Sequence, residues 1–131
     1  MTDEELQKSV EELVHVESLD QISALPLNTE AIFVKRPDDA KIQVLSRLEK
    51  LRRLIQDGNS FISDVGLKTL GRMTSLEELD LEWSDDITDE GLAELCGLRK
   101  LRWLDIGFCL GITAQGVKLL HENLPHCEIV S

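Results

Sequence analysis

Apolar positions recur with a period of 25 residues across residues 51–123. Each unit opens with a leucine, at Leu51, Leu76 and Leu101, and a second leucine follows three positions later. The columns that stay in phase further on are Ile62, Ile87 and Ile112, then Ser63, Thr88 and Thr113, then Gly66, Gly91 and Gly116, then Leu70, Leu95 and Leu120. Repeated self-similarity of this length predicts stacked units that each contribute one strand and one helix.

Alternating apolar positions after the opening leucines predict short strands near residues 53–57, 78–82 and 103–107. The Ser or Thr column predicts helix N-caps, and the leucines that follow at helical spacing predict a buried stripe. Asn59, Ser84 and Cys109 lie in the turn between strand and helix, where we expect their side chains to satisfy backbone groups inside the bend. We expect the glycine column to let each helix approach its neighbour.

A degenerate first unit precedes the regular ones. Residues 31–35 (A-I-F-V-K) predict a strand, and Asp38 or Asp39 then caps a helix whose apolar residues Ile42, Leu45 and Leu48 fall in phase with the later helices. We therefore expect a parallel sheet of about four strands. The 128–130 segment (E-I-V) is positioned to add a final short strand at the edge.

Ahead of the repeats, residues 3–16 show helical spacing of Leu6, Val10, Leu13 and Val14, which predicts an amphipathic helix. Ser18 is a candidate N-cap for a second helix that Pro26 ends. Because solenoids need their open ends covered, we interpret residues 1–28 as an N-terminal helical cap. Residues 29–131 are then the repeat solenoid, and the two form one compact domain. A second binding element is the alternative for the N-terminal helices.

Segments 76–95 (LEELDLEWSDDITDEGLAEL) and 101–120 (LRWLDIGFCLGITAQGVKLL) resemble the cysteine-containing, ribonuclease-inhibitor-like class of leucine-rich repeats. That class also occurs in F-box substrate receptors and bacterial proteins, although this chain shows no F-box pattern and places a cysteine at the turn position only at Cys109. The resemblance implies an α/β fold: a short right-handed solenoid with a parallel sheet on the concave face and helices on the convex face. It also implies protein recognition.

The chain is acidic, with a formal net charge of −11 over 131 residues. Nucleic acid and anionic membranes are disfavoured, because phosphate binding needs clustered Lys and Arg. A basic protein partner is compatible with this charge; solubility alone is the other explanation. No apolar run reaches membrane-span length, the N-terminus lacks signal-peptide features, and the three cysteines do not suggest a disulfide framework, so we expect a cytoplasmic protein.

Outward-facing positions of the predicted strands and the rim next to them combine aromatic and acidic side chains. The candidate partner-binding residues are Phe33, Ile55, Asp80, Glu82, Trp83, Trp103, Asp105 and Phe108. Exposed aromatics beside carboxylates are typical of a protein-binding hot spot, and they suit a partner segment carrying Arg or Lys. The alternative for Trp83 and Phe108 is that they fold over the turn and shield the edge of the solenoid.

Metal-binding and catalytic patterns are weak. Asp85, Asp86 and Asp89 share a turn but lack the spacing of a calcium loop, and the His121, His126 and Cys127 group lacks the paired cysteines of a zinc site. We expect no metal and no cofactor.

An acid–base pair is one further possibility, since equivalent positions on neighbouring strands bring Asp80 and Asp105 to about 5 Å. An open sheet offers no pocket that excludes water, however, and the chain shows no nucleophile or phosphate-binding motif. We therefore expect a binding protein and no enzyme.

The favoured function is an adaptor or inhibitor that binds another protein through the concave face, as a monomer or as one subunit of a hetero-complex. Two alternatives remain open at this point: an immunity-type inhibitor of a basic toxin or nuclease, and a structural subunit of a permanent complex.

Overall fold

A computed structural model describes residues 2, 4–5 and 13–131. Within these residues the elements are β1 (Val14–Val16), α1 (Leu19–Ser23), β2 (Ala31–Val34), α2 (Asp39–Leu45), β3 (Arg53–Gln56), α3 (Asp64–Leu70), β4 (Glu78–Asp80), α4 (Asp89–Ala93), β5 (Trp103–Asp105), α5 (Ala114–Asn123) and β6 (Glu128–Val130). Strands and helices alternate throughout, as expected for an α/β solenoid.

The strands form one parallel sheet in chain order, from β1 to β6, and the sheet is not closed into a barrel. Its register places Leu54 opposite Leu79, and Leu79 opposite Leu104. The 25-residue period of the sequence therefore becomes lateral stacking of equivalent residues. The four predicted strands are confirmed, but the sheet has six because β1 and β6 extend it at its two ends.

The N-terminal prediction is wrong over its last residues. Val14–Val16 form β1 and pair in parallel with β2, so no helix extends to residue 16. The alternation of Val14, His15 and Val16 suits a strand, and pairing with β2 outweighs the helical spacing that Leu13 and Val14 complete. Most of the predicted helix, including Leu6 and Val10, lies outside the described residues. The second helix is confirmed as α1, with the Ser18 side chain accepting a hydrogen bond from the Gln21 N–H.

Aliphatic side chains fill the space between the sheet and the helices. On the helix side, the column predicted from the repeats is buried without exposure at Leu45, Leu70, Leu95 and Leu120. The strand leucines Leu54, Leu79 and Leu104 face them and are equally buried. Burial of one such side chain contributes about 1.5–3 kcal/mol, so the packed columns are the main source of stability. The opposite side of the sheet is turned away from the helices, and we call it the open face.

A carboxylate in the first turn of α2, α3 and α4 bonds to the start of the next helix. Asp64 accepts hydrogen bonds from the Thr88 N–H at 2.8 Å and the Thr88 hydroxyl at 2.6 Å. The same two bonds link Asp39 to Ser63 and Asp89 to Thr113. We call this series the aspartate ladder, and it links α2 to α3, α3 to α4 and α4 to α5.

The glycine column exists because of this ladder. A Cβ at Gly91 would overlap the Asp64 carboxylate, and a Cβ at Gly116 would overlap that of Asp89. Gly66 is constrained in the same way by Asp39. The expected close approach of neighbouring helices is therefore present, and the atom that needs the space is a carboxylate oxygen.

The Ser and Thr column lies at the N-cap positions as predicted, but only partly in the predicted role. Ser63 accepts from the Val65 N–H, whereas Thr88 and Thr113 make no side-chain cap bond. Their hydroxyls donate to the aspartate ladder instead. A hydroxyl can donate and accept at the same time, and Ser63 does both, since it donates to Asp39 and accepts from the Val65 N–H. At Thr88 and Thr113 only the donated bond is formed.

The polar column inside the turns runs through Ser60, not Asn59. The Ser84 hydroxyl donates to that of Ser60 at 2.6 Å, and the Cys109 thiol donates to the Leu81 carbonyl at 3.2 Å. Asn59 is exposed and bonds only to Asp57, two residues before it. The predicted bond to a backbone group is confirmed for Cys109. Ser84 is buried in the turn as predicted, but its hydroxyl bonds to another side chain. The prediction for Asn59 is wrong because the turn of this repeat is displaced by one residue.

None of the helices in the described part of the chain has the length and apolar character needed to cross a bilayer.

The aspartate ladder predicts a coupled effect of two substitutions. Gly91→Ala should lower the free energy of unfolding by about 1–2 kcal/mol, because overpacking outweighs the better helix propensity of alanine. In an Asp64→Ala background the same change should be neutral or stabilising. Urea denaturation of the four proteins of this double-mutant cycle measures the coupling. Gly97→Ala is the control, since a Cβ there meets no atom within 4 Å. Additive effects would contradict the ladder as the reason for the glycine.

Candidate functional site

The turn after each of four successive strands contains one residue in the left-handed region. These residues are Arg36 (φ 48°), Gly58 (φ 86°), Trp83 (φ 64°) and Phe108 (φ 57°). Glycine adopts this conformation without strain, whereas a residue with a Cβ loses about 1–2 kcal/mol. The repeat containing β3 has glycine at this position, where it causes no strain, and the next two repeats have large aromatic residues.

Trp83 and Phe108 stack face to face at the rim of the sheet. Their ring centroids are 4.3 Å apart and the interplanar angle is 9°. A Cβ at Gly58 would lie 3.4 Å from Trp83 Cδ1, so the tryptophan packs between the Gly58 backbone and Phe108. The two side chains, which we call the aromatic pair, nevertheless remain 49% and 62% exposed. Exposure is therefore confirmed for both, and the shielding that each ring provides is mainly of the other.

Three carboxylates gather beside this pair at the carboxyl ends of β4 and β5. Asp80 and Asp105 are opposite each other in the parallel ladder, and Glu82 follows β4. One carboxylate oxygen from each lies within 4.8 Å of the others. We call this group the acidic cluster. Across the described residues, no Lys, Arg or His forms an ion pair with any of the three.

Each aspartate of the cluster also closes its own turn. The Asp80 carboxylate accepts from the Glu82 N–H at 3.0 Å, and that of Asp105 accepts from the Gly107 N–H at 2.8 Å. These bonds stop the strand and direct the chain toward Trp83 and Phe108. The aspartates therefore position the aromatic pair as well as supplying charge.

Burial disfavours ionisation within the acidic cluster. Asp80 is only 8% exposed, and desolvation raises its pKa to about 7; the charges of Asp105 and Glu82 add to this, against the hydrogen bonds from the Glu82 N–H and Gln56. Desolvation also raises the pKa of Asp105 and that of Glu82. The Trp83 side chain opposes the rise in the pKa of Glu82, which places the acidic cluster next to the aromatic pair.

Gln56 organises the site from inside the fold. It occupies the inward strand position that Leu81 and Ile106 fill in the next repeats, and it is 5% exposed. Its amide N–H group donates to the Glu82 carbonyl at 2.7 Å and to Asp80 at 3.3 Å, while its oxygen accepts from the Gly58 N–H at 2.6 Å. The polarity of Gln56 in an otherwise aliphatic column is the sequence signal for this role. That signal does not show which groups Gln56 binds, so the sequence alone did not reveal the role.

The predicted exposure of the strand positions is wrong for two residues. Ile55 is 4% exposed and Asp80 is 8% exposed, because side chains on both neighbouring strands cover the central column of the sheet. Phe33 is partly buried and packs against His15 of β1, with ring centroids 4.6 Å apart. The structure therefore does not bring all the candidate residues together; Phe33 and Ile55 belong to the β1–β3 part of the open face.

Trp103 is less exposed than expected. It is partly buried on β5, where Glu78 of β4 and Glu128 of β6 are its neighbours in the ladder. Glu78 in turn forms an ion pair with Arg53 on β3. Trp103 is therefore part of a continuous row across the open face and is separate from the aromatic pair.

The oxygen atoms of the acidic cluster are of the type that hard cations prefer, and its three residues are the group in the described chain that could hold a metal. The turn considered for calcium is organised differently. The Asp89 carboxylate is occupied by the Thr113 side chain and N–H, and these bonds lower its pKa.

The cysteines behave as structural thiols. Burial raises the pKa of Cys109 and that of Cys127 to about 11, and it raises the pKa of Cys96 as well. A protonated thiol at Cys109 agrees with its donation to the Leu81 carbonyl. Since the thiolate is the reactive form, these groups are poor nucleophiles.

The raised pKa of Asp80 gives its substitution by asparagine a pH-dependent effect. Between pH 3.8, the ordinary pKa, and a pH of about 7, folded protein holds a proton that unfolded protein has lost. Ionisation of this group therefore destabilises the wild type by about 1.4 kcal/mol per pH unit in that window. Asp80→Asn should gain stability relative to wild type as pH rises, with a plateau above the folded pKa. Urea denaturation across this pH range measures the difference.

Asp89→Asn is the matched control for that measurement. The pKa of Asp89 is lowered in the fold, so its ionisation stabilises the protein and is lost as pH falls. This variant should therefore lose stability relative to wild type as pH rises. Parallel curves for Asp80→Asn and wild type would show that Asp80 titrates normally.

Backbone strain at Phe108 predicts an unusual order of substitutions. Phe108→Gly should be more stable than Phe108→Ala by about 1 kcal/mol, because only glycine relieves the left-handed conformation. Thermal or urea denaturation of the two variants tests this. The opposite order, with alanine the more stable, would place Phe108 in an unstrained turn.

The family model described as Leucine Rich repeat matches residues 72–96, a segment that contains β4 and α4. No curated protein matches the chain. The matched segment is one of the units that stack at a period of 25 residues in the sheet, and the match together with this register supports a leucine-rich repeat protein.

Proposed function

We propose that this protein binds another protein through the open face of its sheet and the rim that follows β4 and β5. One observation carries the proposal: Trp83 and Phe108 are large, exposed and stacked, and both have the left-handed backbone conformation that glycine adopts with less strain. A leucine-rich repeat favours a protein partner, and rigid aromatic side chains are the residues that most often anchor such interfaces.

Without a partner, the aromatic pair adds little to the stability of the fold. Stacking of the two rings contributes about 0.5–1.5 kcal/mol beyond burial, which roughly offsets the strain at one left-handed position. About half of each side chain stays in contact with water. Contact with a partner would bury this remaining surface, and burial of apolar area favours association.

The partner's contact segment is basic in this proposal. The acidic cluster holds three carboxylates that no basic side chain of the described chain neutralises, and the chain carries a net charge of −11. An Arg or Lys from outside would stabilise the ionised cluster. The same charge would steer a basic partner toward the site and raise the association rate.

The finer assignment follows from the sequence pattern. We propose an adaptor or inhibitor of the cysteine-containing repeat class that acts in the cytoplasm by binding and not by catalysis; Cys109 at the turn position supports the class. Residues 1–28 are proposed to cap the N-terminal end of the repeats. In the described part of this segment, Val16, Ile22 and Leu25 are buried in the common core.

The proposal predicts that Glu82→Gln/Phe108→Gly removes partner binding and leaves the fold intact. The first change removes one charge without a change of shape, and the second removes one ring from a strained, exposed position. Immobilised wild-type and variant proteins are compared for capture from an extract of the native cells, at low and high salt. We expect capture by the wild type that weakens with salt and is lost in the variant.

A second variant controls for surface changes elsewhere. Lys118→Ala/Glu122→Ala removes an exposed pair from α5, on the helical side of the molecule, with side chains 78% and 61% exposed. It should capture the same proteins as the wild type. Equal capture by all three proteins, or equal loss in both variants, would place the binding surface somewhere other than the open face.

A further inference from the structure

The outer surface of the aromatic pair has a defined shape. Trp83 is covered on one side by the Gly58 turn and on the other by Phe108. Phe108 is therefore the outer ring of the stack, and it is the more exposed of the two at 62%. The rings are nearly parallel, so the surface they offer is flat.

Carboxylate oxygens border this flat surface. The Glu82 and Asp105 carboxylate oxygens lie within 4.8 Å of each other, and Glu82 is close enough to the Trp83 side chain for that side chain to lower its pKa. Ile106 and Gly107 lie between Asp105 and Phe108 in the chain. A Cβ at Gly107 would lie 3.0 Å from Asp105 Oδ1 and 3.7 Å from Glu82 Cγ. Because residue 107 has no side chain, the space between Phe108 and the carboxylates stays open.

A flat ring surface next to two carboxylates distinguishes the two basic side chains. The guanidinium group of arginine is planar, stacks on aromatic rings and donates two parallel hydrogen bonds to a carboxylate. The ammonium group of lysine is a compact, strongly hydrated charge that gains the Coulomb attraction but not the stacking.

Resting on the proposed function, we infer that the partner presents an arginine to this site: its guanidinium stacks on the aromatic pair and donates to Glu82 and Asp105. Charge complementarity with the acidic cluster supplies the attraction, and the rings supply the selectivity for arginine over lysine. The occupant is an arginine-containing segment of a protein, bound in an exposed conformation at the rim of β4 and β5.

Three short peptides test this inference. Each is acetylated and amidated and consists of glycine and serine around one central residue, which is arginine, lysine or the neutral arginine analogue citrulline. Each is titrated into ¹⁵N-labelled protein and followed by NMR, where the indole N–H signals of Trp83 and Trp103 report on separate places. The arginine peptide should bind about fivefold more tightly than the lysine peptide, because an ammonium gains the cation–π attraction but neither the planar stacking nor the paired hydrogen bonds of a guanidinium. It should shift the Trp83 signal, and citrulline should bind more weakly than arginine.

Trp83→Asn/Phe108→Asn isolates the contribution of the rings. Asparagine tolerates the left-handed conformation, and every carboxylate remains in place. This variant should bind the arginine and lysine peptides equally. Equal binding of the two peptides by the wild type, binding of neither, or an arginine preference that persists in the variant would overturn the inference.

The peptide titrations and the capture experiment can fail independently, so failure of the inference is distinguishable from failure of the proposed function. Salt-sensitive capture that Glu82→Gln/Phe108→Gly abolishes, without an arginine preference in the titrations, keeps the open face as a binding surface and rejects the arginine. An arginine preference without any such capture supports the site chemistry and rejects protein binding through the open face.

Discussion

The hydrogen bonds from the starts of α3, α4 and α5 to the aspartate of the preceding helix are the constraint on which the rest of the structure depends. A helix N-cap has an N–H group with no acceptor inside its own helix. Asp39, Asp64 and Asp89 accept that N–H and the neighbouring hydroxyl together. Hydrogen bonds to a charged acceptor are stronger than those to a neutral one, and this geometry leaves no room for a Cβ at the facing glycine. One carboxylate thus fixes both the offset and the separation of successive helices.

The constraint reaches the open face through the chain itself. The start of each of these helices is separated from the start of the following strand by the same number of residues. Helices held at a fixed offset therefore bring Leu54, Leu79 and Leu104 into one column. The positions beyond these leucines are then aligned as well. The acidic cluster and the aromatic pair are consequences of that alignment: residues that lie 25 apart in the chain meet on neighbouring strands.

The 25-residue spacing of the sequence was enough to predict the features that depend on it. The α/β solenoid, the four central strands, the aliphatic core and the proximity of Asp80 to Asp105 all follow from residues that recur in phase. Features without a repeated signal were not predictable. β1 depends on pairing with β2, and burial of Ile55 depends on side chains from two other strands. The role of Gln56 depends on bonds to the following repeat and to its own turn, and only its polarity in an aliphatic column marks it.

Comparison of equivalent positions in successive repeats shows that the fold does not require the costly residues of the site. At the same three positions the β3 repeat carries Ile55, Asp57 and Gly58, whereas the β4 repeat carries Asp80, Glu82 and Trp83. Both sets close the turn and continue into a helix. The second set adds a carboxylate with a raised pKa and a bulky left-handed residue, and the β5 repeat adds a second aromatic ring that stacks on it. These residues strain or destabilise a scaffold that folds without them, and they cluster in one place. Such clustering is expected where a surface serves recognition. The rim of β4 and β5 is that place in this protein.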